Sequence, residues 1–194
     1  MNRKTFEVEG TTSLSRYTPE EIEYRLKHYY KFLVVRHPFE RLISLYNSKI
    51  KDSTEEGFRK YVSDANFLGI TNKHCGVSFS DFVTYLEYKC AFRKGWPCFE
   101  PHWKVATEIC HPCHIQYDYI AKFETFREDA LNVLRELGEN RSDIETLYPE
   151  LFTQNERSSR IYGKEMSTLN SAQIRSMAKF YWEDFTFFDY NITR

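Results

Sequence analysis

Arg36 closes a short apolar run, Phe32-Leu33-Val34-Val35, and Ser44 follows it eight residues later. A guanidinium is a planar fork of N–H donors that matches the oxygens of a phosphate or carboxylate. A serine hydroxyl adds a neutral donor. Together the two residue types suit an anion, and a phosphate best. The elements that must position them are legible on either side. Phe32–Val35 is apolar and rich in β-branched residues (Val34, Val35), and reads as a buried strand. Pro38, with φ preset and no N–H, suits the first turn of a helix. Phe39, Leu42, Ile43, Tyr46 and Ile50 then recur at helical spacing, with Arg41, Ser44, Ser48 and Lys51 on a polar stripe. Residues 31–51 therefore read as strand, tight turn and helix, with the arginine at the carboxyl end of the strand. That is where open α/β sheets bind ligands, and a helix N-terminus adds its own attraction for an anion.

The whole chain bounds what else is possible. Its 194 residues suit one domain, residues 1–194, with a sizeable core. A net charge of −1 argues against general nucleic-acid binding. No apolar run reaches the length of a membrane span, and MNRKTFEVEG lacks the pattern of a signal peptide. Any membrane anchor is expected to lie outside these residues. The five cysteines, Cys75, Cys90, Cys98, Cys110 and Cys113, are odd in number, so internal pairing leaves at least one over. The sequons Asn140-Arg141-Ser142 and Asn191-Ile192-Thr193 matter only in the secretory pathway.

Around the anion site the chain reads as α/β. Thr18-Pro19-Glu20-Glu21 starts a helix whose face carries Ile22, Leu26 and Tyr29. Residues 1–17 read as an irregular lead-in, and residues 52–77 as a surface excursion. Ser78 to Asp81 caps a short helix with Phe82, Val83 and Leu86 inward, and residues 90–101 form a loop. Residues 117–123 form a second strand. Thr125 to Glu128 is a capping box for a helix ended by Gly138. Residues 139–164 read as a long loop holding Arg157 and Arg160, either closing over an anionic ligand or simply solvated. A last helix bears Ile174, Met177, Ala178, Tyr181 and Trp182, and the aromatics Phe185, Phe187, Phe188 and Tyr190 pack back on the sheet.

Two further constellations carry chemistry. Cys98, His102, Cys110, Cys113 and His114 contain enough ligand types for a zinc site. Alternatively they are core or disulfide cysteines beside surface histidines. His102, next to Trp103, is a candidate general base, because imidazole titrates near neutral pH. Its other readings are a structural histidine or an acceptor-binding one.

The segment Val35-Arg36-His37-Pro38-Phe39-Glu40-Arg41-Leu42-Ile43-Ser44 resembles the 3′-phosphate-binding segment of the Golgi carbohydrate sulfotransferases. Their donor is 3′-phosphoadenosine 5′-phosphosulfate (PAPS). In that family the arginine closing the strand and the serine eight residues on contact the donor's 3′-phosphate, which maps onto Arg36 and Ser44. His37 stands where the family usually has an acidic residue. His102-Trp103, then Cys110-His111-Pro112-Cys113 and Tyr117-Asp118, are similar to the "HW … CxPC … YD" block of the chondroitin 4-O-sulfotransferase branch. Lys122-Phe123-Glu124-Thr125 with Glu128-Asp129 resembles its "K(Y/F)ET … ED". Tyr181 to Phe185, then Phe188 and Tyr190, are similar to its C-terminal pattern. The likeness covers roughly residues 15–137 and 171–191, in order.

The resemblance implies a P-loop-like sulfotransferase fold, with a central parallel sheet flanked by helices. It implies PAPS as donor with no metal, and residues 36–44 (Arg36, His37, Pro38, Phe39, Glu40, Arg41, Leu42, Ile43, Ser44) around the donor. It further implies an anionic glycosaminoglycan acceptor of the chondroitin or dermatan 4-O type, a Golgi membrane location with a lumenal domain, and disulfides rather than zinc at the cysteines. One departure stands out. The family holds the 5′-phosphosulfate with an earlier strand–loop–helix bearing a lysine or arginine, and no such unit precedes residue 31. The fold is therefore expected to lack its first strand–loop–helix, as a truncated chain would. The alternative is a non-catalytic relative that binds glycan or nucleotide.

Overall fold

The computed structural model describes residues 12–51, 77–91, 101–147 and 157–192. They build a mixed, mostly helical α/β unit around a two-stranded parallel sheet. After a 3₁₀ turn at Leu14–Arg16, helix α1 (Pro19–His28) starts on a full capping box. Thr18 Oγ1 accepts from the Glu21 N–H, and the Glu21 carboxylate accepts from the Thr18 N–H. Strand β1 (Phe32–Val35) leads into α2 (Pro38–Leu45), which continues as a π turn over Tyr46–Ile50. Then come α3 (Phe79–Ala91), α4 (Ala106–Cys110), β2 (Tyr119–Lys122), α5 (Phe126–Glu136), α6 (Arg141–Leu147), α7 (Arg157–Met166), α8 (Ser171–Phe180) and α9 (Trp182–Phe187).

The strands pair in register, Phe32 with Tyr119 through Val35 with Lys122. Their entry is stapled by Lys31 and Asp118. The Lys31 N–H donates to the Asp118 carboxylate at 2.7 Å, Lys31 Nζ lies 2.9 Å from it, and the Asp118 N–H donates to the Lys31 carbonyl at 2.7 Å. The bonds from Lys31 hold the Asp118 carboxyl below the usual carboxylate range.

The core lies on the helical side. Phe39, Leu42, Ile43, Tyr46 and Ile50 all face it, as their spacing predicts, and meet Phe79, Phe82 and Val83 of α3 and Met177, Tyr181 and Phe185 near the C-terminal end. Each such side chain contributes about 1.5–3 kcal/mol by leaving water. Polar ties fix the layers. Gln173 of α8 donates to the Ser80 carbonyl and the Thr84 hydroxyl of α3 while its carbonyl oxygen caps its own helix at Asn170 N. Tyr46 donates to the Val77 carbonyl at 2.8 Å.

Several expectations need correction. β1 is not buried throughout. Phe32 and Val34 are 52% and 40% exposed and only Val35 is buried, because among the described residues helices cover one side of the sheet. The apolar face of α1 is uncovered too, and no residue of α1 is buried. α3 runs thirteen residues, so Cys90 and Ala91 are helical rather than loop. Residues 139–164 are not one loop, since α6 and most of α7 fall there, and Arg157 and Arg160 stand on α7. Thr125 makes no cap bond. Its backbone, at φ −113° and ψ 23°, is not in the extended shape of an N-cap, and its hydroxyl donates to Asp129 at 2.7 Å. Trp182 opens a separate helix and is 57% exposed. Gly138 does end α5, at φ +92°, a backbone shape that only glycine adopts without strain. The reading of residues 52–76 and 92–100 as surface excursion and loop lies outside the described residues.

Candidate functional site

The parallel register dictates the site. With Val35 opposite Lys122, the next residues, Arg36 and Phe123, emerge side by side at the carboxyl ends of the two strands. The Arg36 guanidinium lies over the Phe123 ring, 4.5 Å from its centre. Arg36 Nη2 reaches Glu40, one helical turn on and buried, at 3.5 Å. Arg36 Nε is sheltered from solvent and has no hydrogen-bond partner. A guanidinium offers five N–H donors, so this one keeps spare donor capacity in a braced orientation. Ser44 is exposed on α2.

The other residues of the 36–44 stretch are occupied elsewhere. Pro38, Phe39, Leu42 and Ile43 are buried in the core, so any part they take in a ligand site is through the backbone they fix. Arg41 donates to the Lys104 carbonyl and pairs with buried Asp184 at 3.5 Å. Asp184 in turn accepts from the Ala106 and Thr107 N–H groups at the start of α4, at 2.8 and 2.9 Å. The His37 ring is buried edge-on among Phe39, Tyr162, Phe185 and Tyr190, and its Nε2 lies 3.0 Å from the Asn191 carbonyl. It faces the C-terminal segment.

The helix-terminus argument also changes. The His37 N–H, the first donor of α2, is taken by the Glu124 carboxylate at 2.8 Å, and Pro38 has none to offer. An intrinsic carboxylate thus takes the first of the donors at this helix start, and Arg36 is the side chain that stands beside it at the strand end.

The sequence reading placed Phe123 in a strand and Tyr190 in an aromatic tail, and put neither of them, nor Glu124, at the ligand site. Tyr190 donates to the second oxygen of Glu124 at 2.7 Å, and Lys122 Nζ sits 4.6 Å from the Tyr190 ring centre while donating to the Asp189 carbonyl. Burial first, then the Glu124 bond, pushes the Tyr190 phenol well above its ordinary value. The signal that finds Phe123 and Glu124 is the strand pairing. Once residues 32–35 and 119–122 are known to be parallel neighbours, the residues just beyond their carboxyl ends must meet.

His102 is exposed in the turn that carries buried Trp103, and the Trp103 carbonyl accepts from the buried Tyr181 hydroxyl at 2.7 Å. Cys110 and Cys113 are free thiols, half-buried and exposed respectively, with burial pushing the Cys110 thiol up. Cys75, Cys98 and the side chain of Cys90, the other thiols a disulfide could use, lie outside the described residues. Among the described residues no three potential metal ligands converge, and Cys98 lies outside them. A cavity of about 510 Å³ opens between α3, α8 and α9. Its lining carries Glu87, Glu108 and Glu183 against the one ammonium of Lys179, the wrong sign for a phosphate or an anionic glycan. It is separate from the Arg36 corner.

Residues 2–191 match the family model described as "Sulfotransferase family". The chain is 31% identical over 189 residues to "Carbohydrate sulfotransferase 11" of Rattus norvegicus, covering 93% of this chain and 52% of the relative. It is 34% identical over 183 residues to "Carbohydrate sulfotransferase 12" of Mus musculus, covering 86% and 41%. With "Carbohydrate sulfotransferase 14" of Homo sapiens it shares 37% over 123 residues, covering 60% and 31%. The chain spans about half the length of the first of these relatives. No solved structure matches. With a family model spanning nearly all of its residues and relatives above 30% identity, the chain belongs to the sulfotransferase family.

Proposed function

We propose that the chain supplies the 3′-phosphate side of the donor site of a carbohydrate sulfotransferase, which moves a sulfuryl group from PAPS to a sugar hydroxyl. The observation that carries this reading is Arg36: a guanidinium at the carboxyl end of a parallel strand, braced by Glu40 and Phe123, with Nε unpartnered. Arg36 would bind the 3′-phosphate, with exposed Ser44 as a second donor. PAPS supplies the sulfuryl group. The acceptor oxygen forms the new S–O bond, the bond to the 5′-phosphate oxygen breaks, and the hydroxyl proton goes to a base. His102 fits that base in being solvent-facing on a turn anchored by Trp103.

The acceptor we assign is an anionic glycosaminoglycan of the chondroitin or dermatan 4-O type, in the Golgi lumen. The support is the likeness of His102-Trp103, Cys110 to Cys113 and Tyr117-Asp118 to that branch, together with relatives named as carbohydrate sulfotransferases.

Calorimetric titration with 3′-phosphoadenosine 5′-phosphate (PAP), the desulfated donor, tests the reading. Arg36→Ala should lose about 1.5–3 kcal/mol of binding, a charge-assisted contact, and Ser44→Ala about 0.5–1.5 kcal/mol, a neutral one. Unchanged affinity in Arg36→Ala would sink the assignment.

A further inference from the structure

We propose that Glu124 is a positioning residue for Arg36, with residues 189–191 as its second anchor. This rests on the donor reading above, since it concerns the same corner. Glu124 Oε1 accepts from the His37 N–H at 2.8 Å. That N–H belongs to the peptide plane joining Arg36 to His37, so the bond fixes ψ of Arg36 and with it the direction in which the guanidinium leaves the strand. Glu124 Oε2 accepts from Tyr190 at 2.7 Å. The residues flanking Tyr190 are tied to the same two turns, Asp189 O to Lys122 Nζ at 2.8 Å and Asn191 O to His37 Nε2 at 3.0 Å. Three successive residues of the C-terminal segment thus meet residues 122, 124 and 37.

Glu124 itself is exposed and adds no apolar burial. Its charge opposes a phosphate held nearby. The carboxylate serves the site through geometry and against its own electrostatics, and the two effects separate in variants. Glu124→Ala removes both bonds. Glu124→Gln keeps a carbonyl oxygen for the His37 N–H and removes the charge.

The test is PAP titration of the 194-residue chain, well below its thermal midpoint, with that midpoint and the near-ultraviolet circular dichroism recorded for every variant. Glu124→Ala should weaken PAP about tenfold, the loss expected when a charge-assisted hydrogen bond that sets an arginine's direction is removed. Glu124→Gln should bind within about threefold of wild type or more tightly. Tyr190→Phe, which keeps the fold and removes one anchor, should weaken PAP about threefold. The double variant Arg36→Ala/Glu124→Ala should bind no more weakly than Arg36→Ala alone, because Glu124 acts through Arg36. Wild-type affinity in Glu124→Ala, failure of Gln to rescue, or a full further loss in the double variant would each overturn the proposal. Wild-type affinity in Tyr190→Phe would overturn the second anchor. Wild-type affinity in Arg36→Ala is a different outcome, and brings down the donor reading itself.

Discussion

The guanidinium of Arg36 lies 4.5 Å from the centre of the Phe123 ring, although 87 positions separate the two in the chain. The ring is 48% exposed, so its contribution is a cation–π contact at a wet surface. Phe123→Ala should therefore weaken PAP binding by about 0.5–1 kcal/mol, while Phe123→Tyr leaves it within error. Calorimetry on the two variants checks this. Equal affinity for Phe123→Ala and wild type would mean that the ring does nothing for the arginine.

Asp184 should be the most costly single charge to remove. It is 2% exposed, pairs with Arg41, and accepts the first two N–H groups of α4. Asp184→Ala leaves those donors and a partly buried guanidinium without their acceptor, a loss of about 3 kcal/mol or more. Urea unfolding should show a lower midpoint with little change in slope.

Alkaline stability should fall early and depend on Tyr190. Its phenol is raised in the fold by burial and by Glu124, and that of Tyr181 by burial. In both cases the unfolded phenol ionises first, near its ordinary value of about 10. The folded state then holds more protons, so stability is complete below about pH 10 and falls as pH rises beyond it. Tyr190→Phe should make that fall shallower. Unfolding followed between about pH 8 and 11 checks it, and an unaltered slope would show that Tyr190 ionises freely.

In the reduced protein Cys113 should alkylate before Cys110. Cys113 is exposed, while burial shelters the Cys110 thiol and keeps it protonated. A time course with iodoacetamide, read by peptide mass, gives the order. Prior labelling of Cys110 would contradict the environment described for it.

In a version of the chain extended upstream by a strand–loop–helix that bears a lysine, His102→Ala should lower turnover in a sulfate-transfer assay and leave PAP affinity nearly intact, because a base acts on the acceptor hydroxyl. Comparing radiolabelled-sulfate transfer with PAP titration separates the roles. Undiminished transfer would make His102 peripheral.

Much of the fold was legible where a single segment decides its own structure. The Thr18 capping box, the strand ending at Arg36, the five apolar positions of α2 and its π turn, and the Gly138 stop all arise from local pattern. Long-range partners were not legible. Nothing near His37 in sequence says that its ring is enclosed by Tyr162, Phe185 and Tyr190, or that Glu124 takes its N–H. An apolar run likewise marks a strand without saying what covers it, which is why Phe32 and Val34 read as buried and are not. Helix α6 was missed because it runs only seven residues, whereas α7, with ten, is as long as α1 and its length does not explain the omission.

The strand order also sets a timetable. β1 pairs with a strand 87 residues downstream, and His37 meets Asn191 across 154. During synthesis from the N-terminus, Arg36 leaves the ribosome long before Phe123 and Glu124 exist to orient it, and the last tie arrives only with residues 189–191. Local helices can form as they emerge, whereas these distant pairings carry the closure entropy of long loops and come late. The anion-binding corner is thus among the last parts of the molecule to be assembled, and a nascent chain stopped short of residue 190 would hold its arginine without its clasp.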